Sequence, residues 1–183
     1  MNFTRIEIEG VYLVEPNVIV DKRGEFFRTF DEELFSGTGL KKNFVQFNHS
    51  VNFLKGTWRG FHYQLPPKTE TKLIQCVNGK ILDIVLDLRK NSKTFLQWRG
   101  FELSAKNKIQ VLIPDGCAHG FITLEDNSEL IYHHTQFYDA KSESGIRYDD
   151  ARLNLILPIQ ITLISDRDKS YPFLTDDFKG IET

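Results

Sequence analysis

Cysteine is scarce in this chain of 183 residues, and so is methionine. The sequence contains two cysteines and one methionine, and Cys76 and Cys117 have neither CxxC spacing nor the spacing of zinc ligands. The sequence therefore gives no indication of a redox dithiol or a cysteine-bound metal. We expect both thiols to be inert core residues of a protein in a reducing compartment.

Long apolar runs and an excess of one charge are also missing. No segment approaches the roughly 20 apolar residues of a membrane span, and charges interrupt the apolar residues over residues 1–10, unlike in a secretory signal. Lysine and arginine total 23 against 25 acidic residues, and no basic tract could follow a phosphate backbone. We expect a cytoplasmic protein that binds neither membranes nor nucleic acid.

Aromatic residues are plentiful instead. Phenylalanine occurs 15 times, and hydrophobic residues make up 40% of the chain, which is enough to bury a substantial core. The length lies in the usual range for one domain, so we predict a single domain over residues 1–183. The aromatic content favours strands over helices.

Short strand patterns recur along the chain, with turn residues between them. Residues 81–88 place four aliphatic side chains on one face and Asp83 and Asp87 on the other, which predicts a half-buried strand. Similar runs occupy residues 10–20, 24–30, 44–48, 72–77, 109–113, 119–124 and 130–138. Many short strands at this spacing predict a mainly β fold, either a barrel or a jelly roll.

Helical patterns are few. The best helix candidate covers residues 31–35, where Asp31 can cap the first turn and Gly37 and Gly39 can end the helix. After Pro158 the strand pattern loosens, and residues 165–169 look too polar for a core. We expect short peripheral helices and a C-terminal tail that folds back over the domain.

The histidine of the RGFHYQ segment, His62, is the first candidate for chemistry. Alternation along a later strand places Tyr132 and Tyr138 on one face, so two tyrosines could point into one cavity. Regular alternation would turn Arg59 away from His62. Either Gly60 marks a bulge, or Arg59 lies on the rim of the barrel before the strand becomes regular.

A second histidine follows a proline–glycine turn. The pattern PxGxxH, which ends at His119, resembles the second sequence motif of the cupins, where such a turn leads into a strand with an inward histidine. Metal-binding cupins supply a His-x-His pair in their first motif, but Gly60 and Gln64 flank His62 here. An iron or zinc site would lack ligands without that pair, so we expect no metal.

The resemblance extends over most of the chain. The ordered segments that carry it are DKRG at 21–24, QFNHS at 46–50, RGFHYQ at 59–64, KLI at 72–74, DLR at 87–89, LSAKN at 103–107, IPDGCAHGF at 113–121 and SDRD at 165–168. Over residues 10–174 the chain resembles the dTDP-4-dehydrorhamnose 3,5-epimerase family. This resemblance implies a cupin jelly roll, also called a double-stranded β-helix, and a nucleoside-diphosphate 4-keto-6-deoxy sugar as substrate. It also implies a homodimer that needs no metal or other cofactor.

The resemblance further implies roles for individual residues. His62 matches the catalytic base, Asp168 the carboxylate that hydrogen-bonds it, and Tyr132 the acid on the other side of the sugar. Lys72 and His119 match residues of the sugar pocket. Positions that match contacts to the diphosphate, or that shape the nucleotide or substrate pocket, are Arg23, Arg59, Arg167, Gln46, Asn48, Tyr138 and Glu143. In the family, the residue that Arg23 matches reaches the partner's site.

These residue types suit the removal of a proton next to a ketone. Loss of a hydrogen from the carbon beside a C4 ketone gives an enolate, whose oxygen needs a cation or donor nearby, and Lys72 can fill that role. Imidazole titrates near neutrality, and an adjacent carboxylate fixes its tautomer. Inversion then requires protonation from the opposite face, which suits a tyrosine hydroxyl.

Two positions depart from the family pattern. Arg28 stands where the family usually has a glutamate that helps to hold the nucleotide, and Phe47 stands where an acidic residue is usual. A cation in place of an acceptor reverses the hydrogen-bond polarity of that corner. A nucleotide other than dTDP therefore stays open.

Other functions are compatible with parts of the sequence. A related enzyme could invert only C3 or only C5. A metal-dependent cupin enzyme would use His62, His119 and His134 as ligands, whereas a non-catalytic jelly roll would bind a sugar nucleotide through its arginines. The presence of His62, Asp168 and Tyr132 together favours the epimerase.

Overall fold

A computed structural model describes residues 1–40 and 43–183 of the chain. The elements in these ranges are β1 (Asn2–Arg5), β2 (Tyr12–Glu15), β3 (Ile19–Asp21), β4 (Gly24–Phe26), α1 (Glu32–Ser36), β5 (Gln46–Asn52), β6 (Thr57–Gln64), β7 (Lys72–Asn78), β8 (Lys80–Asp87), β9 (Trp98–Ser104), β10 (Gln110–Ile113), β11 (Cys117–Thr123), β12 (Ser128–His134), β13 (Glu143–Gly145), β14 (Leu163–Ile164) and α2 (Asp166–Ser170). The predicted strands at 10–20 and 24–30 are too long, because the chain turns between β2, β3 and β4.

Two sheets form the body of the fold. The first sheet has the strand order β1-β2-β10-β7-β12-β5, and the second has the order β13-β6-β11-β8-β9. β14 joins the second sheet by pairing parallel to β6, whereas β3 and β4 form a separate hairpin. This mainly β arrangement confirms the predicted jelly roll with short helices.

Apolar side chains from both sheets fill one end of the space between them. Ile74 and Leu130 of the first sheet pack in one cluster with Val85 and Phe121 of the second. The predicted core thiols are confirmed, since both cysteines are buried and free. Burial raises their pKa values to about 11 for Cys76 and about 12 for Cys117, so both stay protonated and unreactive near neutral pH.

Strand β8 is buried on both faces, which corrects the half-buried strand predicted from its alternation. Asp83 and Asp87 are fully buried on the face that was expected to meet solvent. The opposite face packs in one cluster with Trp58 and with residues of the tail after Pro158, which are Leu174, Phe178 and Ile181. The prediction that the tail folds back over the domain is therefore confirmed, and this tail explains why neither face of β8 is exposed.

The predicted first helix is present, whereas the second was missed. The Asp31 side chain caps α1 by accepting from the backbone N–H of Leu34 at 3.1 Å, as expected. Helix α2 has Ser165 as its N-cap and buries Asp168, whose side chain is 3% exposed. Residues 165–169 were judged too polar for a core, but tertiary partners bury one of their carboxylates. No helix in the described ranges is long and apolar enough to cross a membrane.

A β-bulge in β6 settles the orientation of Arg59. His119 pairs with His62 and Phe121 pairs with Arg59, so two residues of β6 lie opposite the single residue Gly120 of β11. The extra residue turns Arg59 to the same side as His62. Of the two alternatives for this strand, the bulge at Gly60 is confirmed.

We expect replacement of Gly60 by alanine to lower the free energy of unfolding by about 3 kcal/mol or more. Its φ is +131°, and an added Cβ would lie 2.4 Å from the Gly120 Cα and 2.9 Å from the His119 carbonyl oxygen. Chemical denaturation measures the loss. Gly24→Ala is the control, because its φ is +126° and no atom lies within 4 Å. If both variants lose the same free energy of unfolding, the close contact between Gly60 and Gly120 would add nothing to the cost of the positive φ.

Candidate active site

A cavity of about 250 Å³ lies between the two sheets. Its walls come from β5, β7 and β12 on one side and from β6, β11 and β13 on the other, with α2 at one edge. The cavity brings together ten of the predicted site residues, which are Gln46, Asn48, Arg59, His62, Lys72, His119, Tyr132, Tyr138, Glu143 and Arg167. Tyr138 lies beyond the end of β12, although its segment was predicted to be part of that strand.

His62 and Asp168 form a hydrogen-bonded pair at the cavity wall. The two atoms, His62 Nε2 and Asp168 Oδ1, lie 2.8 Å apart, and the other carboxylate oxygen accepts from the Gly60 backbone N–H at 3.3 Å. Because an ionised carboxylate can only accept, Nε2 carries the imidazole proton. This leaves Nδ1 as the nitrogen that can accept a proton.

Electrostatics keep this histidine neutral and its partner ionised. Burial lowers the pKa of His62 below its ordinary value, aided by the charges of Lys72 and Arg167, although Asp168 opposes the shift. Burial by itself would raise the pKa of Asp168, but the hydrogen bond and charge of His62, the Gly60 N–H and the charge of Arg167 together outweigh it, and that pKa is lowered. A neutral imidazole beside a carboxylate is the form that can act as a general base.

Tyr132 lies on the opposite sheet and is suited to donate a proton. Burial strongly raises the pKa of its hydroxyl, so the phenol stays protonated over the neutral range. Its oxygen lies 3.5 Å from Ser50 Oγ. Its ring is held edge-on to His119 and nearly parallel to His134, with centroid distances of 5.9 Å and 6.0 Å.

Three cations line the cavity, and each has a polar partner in the protein. Lys72 Nζ donates to the His62 carbonyl oxygen at 3.2 Å. Arg59 Nε donates to Asn52 Oδ1 at 2.7 Å, and Arg167 Nη1 pairs with a Glu143 carboxylate oxygen at 2.9 Å. These contacts fix the cations in place before any anion enters, which reduces the entropy lost on binding.

Three predicted site residues do not line this cavity: Asp168, which contacts it only through His62, and the arginines Arg23 and Arg28. Arg23 lies at the turn of the β3–β4 hairpin, where it pairs with Asp21 at 2.6 Å and its side chain is 84% exposed. Arg28 forms an ion pair with Asp31, the cap of α1. Any contact of either arginine with a ligand in a cavity of this kind would have to come from another copy of the chain or from a rearranged segment.

Several residues at or next to the cavity escaped the sequence analysis. Glu70 lies between β6 and β7, in a segment that the sequence analysis did not single out, and its side chain is only 9% exposed. Asp83 was predicted to face solvent but accepts from His119 Nε2 at 2.6 Å. Ser50 was missed because a serine among strand residues carries no distinguishing pattern.

The three histidines proposed for a metal site each have a different carboxylate partner. His62 pairs with Asp168, His119 with Asp83 and His134 with Glu70. Over residues 1–40 and 43–183, no three His, Cys, Asp or Glu side chains come together in a group that could hold a metal ion. The ring nitrogens therefore serve separate hydrogen bonds.

We expect the His62 ring to titrate below the ordinary value of 6.5, as followed by NMR of its ring protons. Asp168→Asn should lower the midpoint further, because the carboxylate opposes the loss of the imidazole proton. Asp166→Asn is the matched control, since it makes the same change on a fully exposed residue of the same helix. An unchanged or higher midpoint in Asp168→Asn would contradict this coupling.

Comparisons with known proteins show which family the chain resembles. Residues 5–176 match the family model described as dTDP-4-dehydrorhamnose 3,5-epimerase. The chain is 44% identical over 169 residues to the Shigella flexneri dTDP-4-dehydrorhamnose 3,5-epimerase, an alignment that covers 92% of this chain and 93% of the relative.

Solved structures extend the similarity to three dimensions. The Bacillus anthracis dTDP-4-dehydrorhamnose 3,5-epimerase, solved with TDP and PPi, has a TM-score of 0.91 at 39% identity, covering 94% of this chain and 99% of that one. The Legionella pneumophila dTDP-6-deoxy-D-glucose-3,5-epimerase, solved with dTDP-4-keto-L-rhamnose, has a TM-score of 0.92 at 34% identity, covering 100% and 98%. This chain therefore belongs to the dTDP-4-dehydrorhamnose 3,5-epimerase family.

Proposed function

We propose that the protein inverts C3 and C5 of dTDP-4-dehydro-6-deoxyglucose by proton removal and return. The observation that carries the proposal is the placement of His62 on β6, paired with Asp168 of α2, and of the protonated Tyr132 hydroxyl on β12 of the other sheet. A sugar ring between them would meet a base on one face and an acid on the other. The Legionella relative, solved with dTDP-4-keto-L-rhamnose, supports this substrate class.

Each inversion is a pair of proton transfers. His62 Nδ1 takes the proton from the carbon beside the C4 ketone, and the electron pair of that C–H bond moves into an enolate. Lys72 stabilises the developing negative charge on the C4 oxygen. Tyr132 then gives its proton to the opposite face of the carbon, and solvent exchange restores both groups. No electrons leave the sugar, so the reaction needs no redox cofactor.

The diphosphate is assigned to the arginines at the cavity edge. Arg59 and Arg167 line the cavity together with His62, and guanidinium groups pair with phosphate oxygens in a two-pronged way. Gln46 and Asn48, at the start of β5, are assigned to the nucleotide side of the substrate. Phe47 points away from them toward the His133 ring, at a centroid distance of 4.6 Å, which leaves thymine compatible with this departure from the family pattern.

The test of this function is deuterium incorporation at C3 and C5, followed by NMR. The wild-type protein should label both carbons of the dTDP-linked 4-keto sugar, and His62→Ala should slow labelling at least about 100-fold. Tyr132→Phe should reduce inverted product more than label exchange, because His62 can return a deuteron to the same face. Comparison of the labelling rate of a UDP-linked 4-keto sugar with that of the dTDP-linked sugar tests which nucleotide the enzyme prefers.

The control is Tyr12→Phe. The Tyr12 hydroxyl accepts from Arg5 away from the cavity, so this variant should label the sugar at the wild-type rate. Labelling of one carbon alone would assign the enzyme to the C3-only or C5-only type. Wild-type rates in His62→Ala would refute the proposed mechanism.

We further propose that two copies form a homodimer in which the β3–β4 hairpin reaches the partner's cavity. The hairpin exposes Ile19, Val20 and Phe26, with Arg23 at its tip. Strand β5 is an edge of the first sheet with Phe47 and Val51 exposed. Apolar patches of this kind favour association. The cytoplasmic location expected from the sequence stays a prediction.

Subunit mixing tests the exchange of Arg23. We expect Arg23→Ala and His62→Ala homodimers to be impaired, and their mixture after subunit exchange to recover about a quarter of wild-type activity, because half of the dimers are mixed and each has one intact site. Light scattering reports the dimer. A mixture without recovery would place the action of Arg23 in its own chain, and a monomeric wild-type protein would refute the dimer.

A further inference from the structure

A continuous series of hydrogen bonds runs along the cavity wall from its nucleotide side toward the proposed base. It begins where the backbone N–H of Tyr138 donates to Gln46 Oε1 at 3.0 Å, and it continues from Gln46 Nε2 to Asn48 Oδ1 at 3.3 Å. Asn48 Nδ2 then lies 3.3 Å from His134 Nε2. Each group in this series donates to the next one along the wall.

Glu70 is the centre of this series. Its Oε2 lies 2.8 Å from His134 Nδ1, and its Oε1 lies 3.2 Å from Lys72 Nζ. Because the carboxylate accepts, Nδ1 carries the proton of His134, which leaves Nε2 free to accept from Asn48. Lys72 in turn donates to the carbonyl oxygen of His62, so the series ends at the residue that bears the proposed base.

The three central side chains are nearly closed to solvent. The exposed fractions are 9% for Glu70, 7% for Lys72 and 10% for His134. Burial by itself would raise the pKa of Glu70, but the charge of Lys72 and the hydrogen bond from His134 outweigh it, and the pKa lies below its ordinary value. The carboxylate is thus ionised and uses both oxygens on protein partners.

We propose that Glu70 is a positioning residue, which holds the Lys72 ammonium at the keto oxygen of the substrate and ties it to the nucleotide side of the cavity through His134. This inference rests on the proposed epimerase function. A flexible lysine with three donors has no preferred direction of its own. A buried carboxylate on one side and a backbone carbonyl on the other restrict it to one place, where stabilisation of the enolate needs no reorganisation.

The same carboxylate also acts on the proposed acid indirectly. The His134 ring lies nearly parallel to the Tyr132 ring, with 14° between the planes. The hydrogen bond that His134 donates to Glu70 therefore fixes the ring against which Tyr132 packs. The group that stabilises the enolate and the group that protonates it therefore share one anchor. Loss of that anchor should affect the chemical steps more than substrate affinity.

The experiment compares Glu70→Gln with wild type by steady-state kinetics of label exchange. We expect kcat to fall between about 10-fold and 100-fold, with KM changed less than about threefold, because the amide has no charge to hold Lys72. Glu70→Asp keeps the charge but is one methylene too short to reach both His134 and Lys72. Its kcat should therefore lie between those of wild type and Glu70→Gln. It carries the same test if Glu70→Gln does not fold.

Glu102→Gln is the matched control. Glu102 also pairs with a lysine, Lys80, at 3.3 Å, but this pair is solvent-exposed and lies on β8 and β9 away from the cavity, so the variant should keep wild-type kcat. A double variant tests the route of the effect. If Glu70 acts through Lys72, Glu70→Gln in a Lys72→Met background should cause less than about a threefold further loss.

The outcomes separate this inference from the proposed function. Wild-type labelling with an unchanged kcat in Glu70→Gln would overturn the positioning role and leave the epimerase function intact. An additive loss in the double variant, or a large rise in KM alone, would also overturn it. A wild-type protein that labels neither carbon would overturn both. Rescue of kcat by Glu70→Asp relative to Glu70→Gln would support the role of the charge.

Discussion

The close crossing of β6 and β11 at Gly60 controls which side chains share the cavity. A Cβ at Gly60 would overlap the Gly120 backbone, so the two strands can approach this closely only without a side chain. The extra residue in β6 turns Arg59 to the side of His62. The Gly60 backbone N–H also donates to Asp168. One backbone irregularity thus orients the base, its carboxylate and a neighbouring cation.

Pairing of buried charges is the second constraint. A charge between two sheets loses its hydration, and only a partner of opposite sign or a hydrogen bond can offset that cost. The carboxylates of the site have such partners, since Asp168 accepts from the neutral His62 ring, Glu143 pairs with Arg167 and Glu70 pairs with Lys72. The pairs hold the functional groups in fixed positions, so the site is organised before a substrate enters. Stability and reactivity therefore depend on the same contacts.

The jelly roll divides these tasks between its sheets. The second sheet carries His62 on β6, and the first carries Tyr132 on β12 and Lys72 on β7. A sugar ring between the sheets meets a base on one face and an acid on the other, which is the requirement for inversion. The tail contributes Asp168 and Arg167 from α2, so a segment that covers the outside of the second sheet also completes the cavity.

Local sequence determined a large part of this arrangement. Alternating apolar residues and turn residues predict most strands because side chains of a strand alternate between two faces, and Asp31 predicts the start of α1 because its side chain can satisfy a free N–H. The segments around His62 and His119 carried enough family pattern to indicate the chemistry. These features depend on neighbours within a few residues, which the sequence displays directly.

Tertiary structure alone decided which polar residues are buried. Asp83 was predicted to face solvent and Glu70 was not singled out, but each is buried and pairs with a histidine far away in the chain, His119 for Asp83 and His134 for Glu70. The direction of Arg59 depended on a bulge, which shifts alternation by one residue without changing composition. Burial and register are set by contacts between distant segments, and for that reason local pattern could not provide them.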